Sequence, residues 1–274
     1  MKKIFYGLCL LRVCCLSAIA QENNLSAAVN IGERIYYDIN FKWGLISGHA
    51  GDATFSFQKD RSVPDASYLY RLQFKTNKFF DGFFKMRDTL NCFYDNENRL
   101  VYSLKATDEG KYYSVDKLTF TYGDDSLRIH SLRYTPSRIR IDTILMAKGD
   151  VTDLLGAVYY LRGIDRESLK SGDVFPLTIA IGRDLIKMQF NYKNQAIVEQ
   201  GNVKYNTRYF VLDIYDEEAF ETTKAAAEIW VGDDDNFIPI KVRSKLKIGY
   251  AEVIYRESSG LAHPLNSRIE IKKK

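Results

Sequence analysis

Cysteine is scarce in this chain of 274 residues, and three of its four, Cys9, Cys14 and Cys15, fall within the first fifteen positions. The remaining Cys92 has no partner for an intramolecular disulfide, so packing alone must hold the domain. Histidine is limited to His49, His130 and His263, and proline to five scattered positions that form no linker. The sequence contains no H-E-x-x-H, no Cys pair past residue 15, no Walker A loop and no G-x-G-x-x-G, which removes the familiar zinc, nucleotide and dinucleotide sites. No metal or cofactor is expected. Past the N-terminus no apolar run approaches the ~18 residues of a membrane-spanning helix.

The N-terminus is different. Lys2 and Lys3 precede a largely apolar stretch, Ile4 to Leu16, interrupted by Arg12 and followed by Ala18-Ile19-Ala20. A positive start, a short apolar segment and a small-x-small end are the marks of a secretory signal peptide. Lipidation at Cys14 or Cys15 is the competing reading, but Arg12-Val13 is a poor lead-in for it. The expected organisation is therefore a signal peptide over 1–20 and one β-rich exported domain over 21–274. A variant has two β lobes meeting near 151–172. Removing residues 1–20 takes away three basic residues and no acid, so 39 basic against 35 acidic becomes 36 against 35. A net charge near +1 gives no footprint for nucleic acid.

Period-2 alternation dominates the rest. Ile35, Tyr37, Ile39, Phe41 and Trp43 share one face of a strand, with Tyr36, Asp38, Asn40 and Lys42 on the other. Similar runs occur at 53–57, 67–76, 86–94, 100–107, 112–122, 126–134, 184–192, 205–215, 237–246 and 250–256. They are separated by Asp-, Asn- and Gly-rich turns such as Gly123-Asp124-Asp125. The pattern predicts a mainly β protein, an antiparallel meander forming an open or closed barrel or a strongly curved sheet. One helix is expected over about 151–162, from the stripe Val151, Leu154, Leu155, Val158 and Leu161, capped by Asp150 or Thr152. A second helical turn is expected over 166–170, and 217–228 reads as either helix or strand.

Chemistry-bearing motifs are few. Gly44-Leu45-Ile46-Ser47-Gly48 resembles a nucleophile elbow with its serine one place too late, and reads as a hairpin turn. His130 alternates with Leu127 and Ile129 and is expected at an exposed or edge position. Asp233-Asp234-Asp235-Asn236 lacks the spacing of a calcium loop and reads as a solvated hairpin turn. A carboxylate-based hydrolase would need Asp38, Asp52, Asp81 and Asp88 to converge.

Two segments are unusual. Residues 79–88, Phe79-Phe80-Asp81-Gly82-Phe83-Phe84-Lys85-Met86-Arg87-Asp88, place four phenylalanines around a turn, and 228–235 centre on Trp230. Aromatics there are either core anchors or contacts for a ligand. In the second case Trp43, Phe79, Phe80, Phe83, Phe84 and Trp230 are the candidate apolar contacts. Lys85 and Arg87 would meet an anionic head group, with Asp81 beside them.

In order along the chain, Gly32-Glu33-Arg34-Ile35-Tyr36-Tyr37, Gly48-His49-Ala50-Gly51, Asp81 to Asp88, the helix 153–162, and Trp230 to Asp235 with Ile238-Pro239-Ile240 and Lys247-Ile248-Gly249 form a recognisable set. Over about 31–256 the chain resembles the domain-of-unknown-function 3108 family of exported Gram-negative proteins. The resemblance implies a β-rich exported domain and kinship with open-barrel, lipoprotein-carrier-like folds, and supplies no catalytic residues. The expectation is a non-enzymatic periplasmic or outer-membrane-associated protein that binds a lipid or another envelope component. Peripheral membrane association is compatible with this. A carbohydrate- or protein-interaction module is the alternative, and the hydrolase a remote one.

Overall fold

The computed structural model describes residues 25–43, 46–216, 221–246 and 249–270. The predicted signal segment, the 217–220 part of the ambiguous stretch and part of the Gly44–Gly48 turn lie outside these. Each of the alternating runs overlaps a strand. The first half of the chain is an up-and-down meander of β1 (Arg34–Trp43), β2 (Ile46–Lys59), β3 (Tyr68–Thr76), β4 (Arg87–Tyr94), β5 (Leu100–Glu109), β6 (Tyr112–Tyr122), β7 (Leu127–Thr135) and β8 (Arg138–Ala147). Short helical turns, α1 (Leu25–Ala28) and α2 (Lys78–Asp81), precede β1 and follow β3. After the two-residue β9 (Val151–Thr152) comes the longest helix among the described residues, α3 (Leu154–Arg162). A second meander follows: β10 (Val174–Ile181), β11 (Asp184–Gln200), β12 (Val203–Asp216), β13 (Glu221–Gly232), β14 (Pro239–Lys245) and β15 (Tyr250–Ser259), with β16 (Arg268–Glu270) against β12.

The two meanders join into one sheet because β1 pairs antiparallel with β15 as well as with β2. The strand order runs from β8 down to β1, then from β15 down to β9. Curvature brings the ends of this path together. Ser131 Oγ on β7 donates to Gly182 O in the β10–β11 turn at 2.5 Å, and Arg183 donates to Arg140 O on β8. Side chains rather than a ladder make this seam, so the result is a nearly closed barrel. Such wrapping leaves few free strand edges.

Helix α3 lies inside the sheet. Leu155 and Tyr159 pack with Tyr70, Cys92, Tyr94 and Ile129, whereas Ala157 and Leu161 pack with Phe175, Ile179, Phe190 and Phe210. The helix starts three residues later than its apolar stripe predicts. Val151 and Thr152 pair parallel to β10, and Asp153 becomes the N-cap, its Oδ1 accepting from Gly156 N at 2.7 Å. A strand partner wins those residues from the helix. Gly156 must be glycine, since a Cβ there would collide with Thr152 and lie 2.8 Å from the Tyr94 hydroxyl.

Two further expectations fail for local reasons. Residues 166–170 are not helical: Asp165 accepts from Glu167 N, Lys170 N turns to Asp173, and Arg166 is drawn to Asp233 and Asp235. The Asp233–Asn236 turn is only partly solvated, with Asp235 exposed. Asp234 and Asn236 are buried, accepting from Ser267 N and His263 N respectively, so this turn anchors the 263–267 segment.

A buried ion pair joins the end of α3 to the segment before β1. Arg162, in the last turn of α3, meets Glu33 with Nη1–Oε1 2.6 Å and Nη2–Oε2 2.9 Å, both side chains being 2% exposed or less. It also donates to Ala28 O and Asn236 O. Burial works against the guanidinium charge, but the hydrogen bonds and charge of Glu33 outweigh it and hold Arg162 above its ordinary value. Removing one partner leaves an uncompensated buried charge. Arg162→Ala or Glu33→Ala should therefore lower unfolding stability by about 3–5 kcal/mol in urea titrations. A loss under ~1 kcal/mol, the range of a surface pair, would show that the contact is not buried in solution.

Candidate functional site

All strand turns after Trp43, Thr76, Glu109, Thr135, Ile181 and Lys245 lie at one end of the barrel, as the registers Gly51↔Thr76, Lys42↔Tyr250 and the Met86↔Glu109 bridge require. The inner wall changes character toward this end. Near α3 the inward side chains are sealed: Tyr37, Tyr70, Cys92, Phe190, Phe210 and Tyr255 are all buried. One or two pleats closer to the turns, the next inward residues on the same strands are only half-buried. These are Ile39 and Phe41 on β1, Leu72 and Phe74 on β3, and Leu90 on β4. On the other side of the barrel they are Ile186, Leu212, Ile214, Val242 and Val253. The apolar pattern thus continues past the point where α3 stops filling the barrel.

A polar strip interrupts this wall on β5 to β7. Lys105, Asp116 and Arg133 face inward beside Ser103 and Asp153 and line a cavity of about 60 Å³. Asp116 is paired with Arg133. Asp153 Oδ2 accepts from Ser103 Oγ and from Cys92 Sγ at 2.9 Å. Burial, then the Asp153 charge, push the Cys92 thiol well above its ordinary range. Cys92 is therefore a neutral donor that braces the helix cap, a role invisible without the Cys92–Ser103–Asp153 juxtaposition.

The Phe-rich segment forms the mouth. Asn77 caps α2, accepting from Phe80 N at 3.0 Å while its own N–H bonds to Ala50 O. Arg87 grips Asp81 through Nη1–Oδ1 3.0 Å and Nη2–Oδ2 2.6 Å, and Thr76 Oγ1 donates to the same carboxylate at 2.5 Å. Those hydrogen bonds hold Asp81 below the usual carboxylate range. Phe80 turns toward the interior, edge-on to Phe41 with ring centroids 6.3 Å apart. Phe79, Phe83 and Phe84 point away, 68%, 78% and 53% exposed.

Of the residues singled out from sequence, Phe79, Phe80, Asp81, Phe83, Phe84, Lys85 and Arg87 are thus together, but with divided roles. Asp81 and Arg87 are engaged with each other, and Lys85 approaches Asp108 at 3.5 Å. Trp43 ends β1 at the same mouth. Trp230 is elsewhere, on the face of β13 opposite Ile229, stacked on Tyr209 at 5.0 Å and covered by Lys241 and Arg243.

The four carboxylates of the hydrolase reading do not converge. Asp38 and Asp52 form a cross-strand pair, but Arg256 Nη1 bridges them at 2.7 and 2.8 Å. His49 lies 3.8 and 3.6 Å from the two, so three potential ligand groups, two carboxylates and an imidazole, come within 4.8 Å of one another. A cation would have to displace the guanidinium that already balances them. Asp88 instead accepts from Asp108 N, and burial raises its pKa. The other end of the barrel carries an open cleft of about 980 Å³ between Tyr205 and residues 255–268, remote from the Phe segment.

Because its folded pKa is lowered, Asp81 stabilises the mouth above the ordinary carboxylate value of ~3.9, and that contribution is lost as pH falls through the folded value. Asp81→Asn should lower hydrogen-exchange protection of the Asp81–Phe84 amides near neutral pH, and acidifying the wild type should do the same. Equal protection in both would remove the lock from the account.

Comparison with known proteins agrees with this architecture. The chain is similar to the solved structure of a β-barrel-like protein of the domain of unknown function DUF1849 from Brucella abortus, at 11% identity and a TM-score of 0.57, covering 85% of this chain and 98% of that one. Weaker likenesses are to a candidate lipoprotein from Parabacteroides distasonis (7% identity, TM-score 0.33, 84% and 95% covered). A candidate exported protein with a YmcC-like fold from Bacteroides fragilis gives 9% identity and a TM-score of 0.31, with 85% and 99% covered. No curated protein sequence matches the chain. The family model described as protein of unknown function, DUF3108, matches residues 36–254, and the chain belongs to that family.

Proposed function

We propose that this protein is a non-enzymatic, exported binding protein of the cell envelope, periplasmic or outer-membrane-associated, that takes an apolar or lipid-like ligand into the Phe-lined end of its barrel. One observation carries this reading. On strands from both halves of the barrel, inward apolar residues pass from buried to half-buried toward the same end. Sites for small apolar ligands are concave and mostly apolar, with a few placed polar groups. Here the apolar part is the wall from Ile39 to Val253, with Phe41 and Phe80 at its lip. The polar group is Lys105, which faces the inner cavity and is in no ion pair among the described residues. Lys85 and Arg87 are engaged elsewhere, so the head-group contact moves from the mouth to the interior. Export rests on the signal-like segment 1–20.

The carbohydrate alternative wants free aromatic faces in a shallow groove. The stacked pair Tyr209–Trp230 is capped by two cations and offers none.

Ala251 lies opposite Phe41 in register, on the inward face next to Val253. A tryptophan there fills the mouth without touching the sealed core. Ala251→Trp should weaken binding of a fluorescent apolar probe by ~10-fold, the worth of about 1.4 kcal/mol, while thermal unfolding stays close to wild type. Fatty acids should compete with the probe for the wild type. Unchanged probe affinity in the folded variant would place binding outside the barrel.

A further inference from the structure

Phe79, Phe83 and Phe84 are the most exposed phenylalanines described, and they are neighbours. They do not line the barrel. Phe79 touches Phe80 and Phe83 edge-on or tilted, at 5.6 and 5.4 Å, and the outer sides of all three stand in water. Fraying does not explain this exposure, because the segment is fastened at four points. Asn77 caps α2 and bonds to β2, Thr76 and Arg87 hold Asp81, and Phe80 is wedged against Phe41. The turn is built to hold three apolar rings outward. A convex cluster of this kind does not enclose a small molecule.

Charge selects the occupant. From Lys75 to Arg87 there are four basic residues and one acidic residue. Arg87 is balanced by Asp81 and Lys85 by Asp108, whereas Lys75 and Lys78 are exposed and in no ion pair among the described residues. Lys42, near the end of β1 and two strands from β3, is also exposed. Apolar rings at the tip with cations behind them match a bilayer interface, where rings enter the acyl boundary and ammonium groups meet anionic head groups.

We propose that the Phe79–Phe83–Phe84 turn docks the open end of the barrel onto an anionic phospholipid surface. The docking stands on its own geometry, and the ligand reading above supplies only its purpose, presenting the mouth to the membrane.

Flotation of the exported, purified protein with phosphatidylethanolamine–phosphatidylglycerol vesicles tests this, with phosphatidylcholine vesicles as the uncharged comparison. The wild type should float with the anionic vesicles and less with phosphatidylcholine, and added salt should weaken it. Phe79→Ser/Phe83→Ser/Phe84→Ser should reduce partition by at least ~10-fold, with unchanged thermal unfolding because no core contact is lost. Lys75→Glu/Lys78→Glu should reduce it on anionic vesicles only. Docking is overturned if the wild type floats with neither vesicle, if the folded triple variant floats as well as the wild type, or if the triple substitution instead dissolves a dimer. Apolar-probe binding without vesicles separates the two readings. Probe uptake without flotation removes docking alone, and flotation without probe uptake removes the ligand.

Discussion

The buried Arg162–Glu33 pair ties the end of α3 to the segment that leads into β1. Glu33 immediately precedes the first strand, Arg162 closes the longest helix among the described residues, and Asn236, which also accepts from Arg162, sits in the turn before β14. A barrel assembled from two meanders needs its interior element held in one place, or the wall has nothing to close on. Hydrophobic packing alone would let α3 slide or rotate within an apolar tube. A bidentate ion pair has one geometry, and desolvation makes any other arrangement costly. Such specificity devices do not maximise stability.

Placing α3 also determines what stays unfilled. With its N-cap fixed by Asp153, Ser103 and Cys92 and its C-terminus by Glu33, the nine-residue helix spans one part of the interior. The strands run on beyond it with their inward faces still apolar. A half-buried apolar wall around an opening is a costly surface to leave in water. Its persistence on strands from both halves of the molecule is the observation on which the ligand proposal rests.

Much of the architecture was legible in the sequence because side-chain period follows directly from strand geometry. The alternation of Ile35 to Phe41 or of Tyr68 to Phe74 places strands within a residue or two, and the Asp- and Gly-rich turns mark their order. The start of α3 was not legible: Val151 and Thr152 fit both the helical stripe and a strand, and the choice depends on β10, which lies far along the chain. The depth of Asp234 and Asn236 was equally hidden, since their partners His263 and Ser267 are about thirty residues away. The Phe segment was visible as an anomaly, but its division into an inward Phe80 and outward Phe79, Phe83 and Phe84 depends on Asp81 meeting Arg87. Asp38 and Asp52 are equidistant from residue 45, so hairpin symmetry could have paired them. Arg256, which neutralises the pair, arrives from a strand some two hundred residues later.

The proposed apolar occupant of the barrel's open end can be sought in the protein itself. Native mass spectrometry of protein purified from the cell envelope without detergent addresses it most directly. A bound species of lipid-like mass is expected, one that organic extraction removes and that the Ala251→Trp variant carries at much lower occupancy. A spectrum showing only the bare polypeptide, from protein that also takes up no apolar probe, would contradict it.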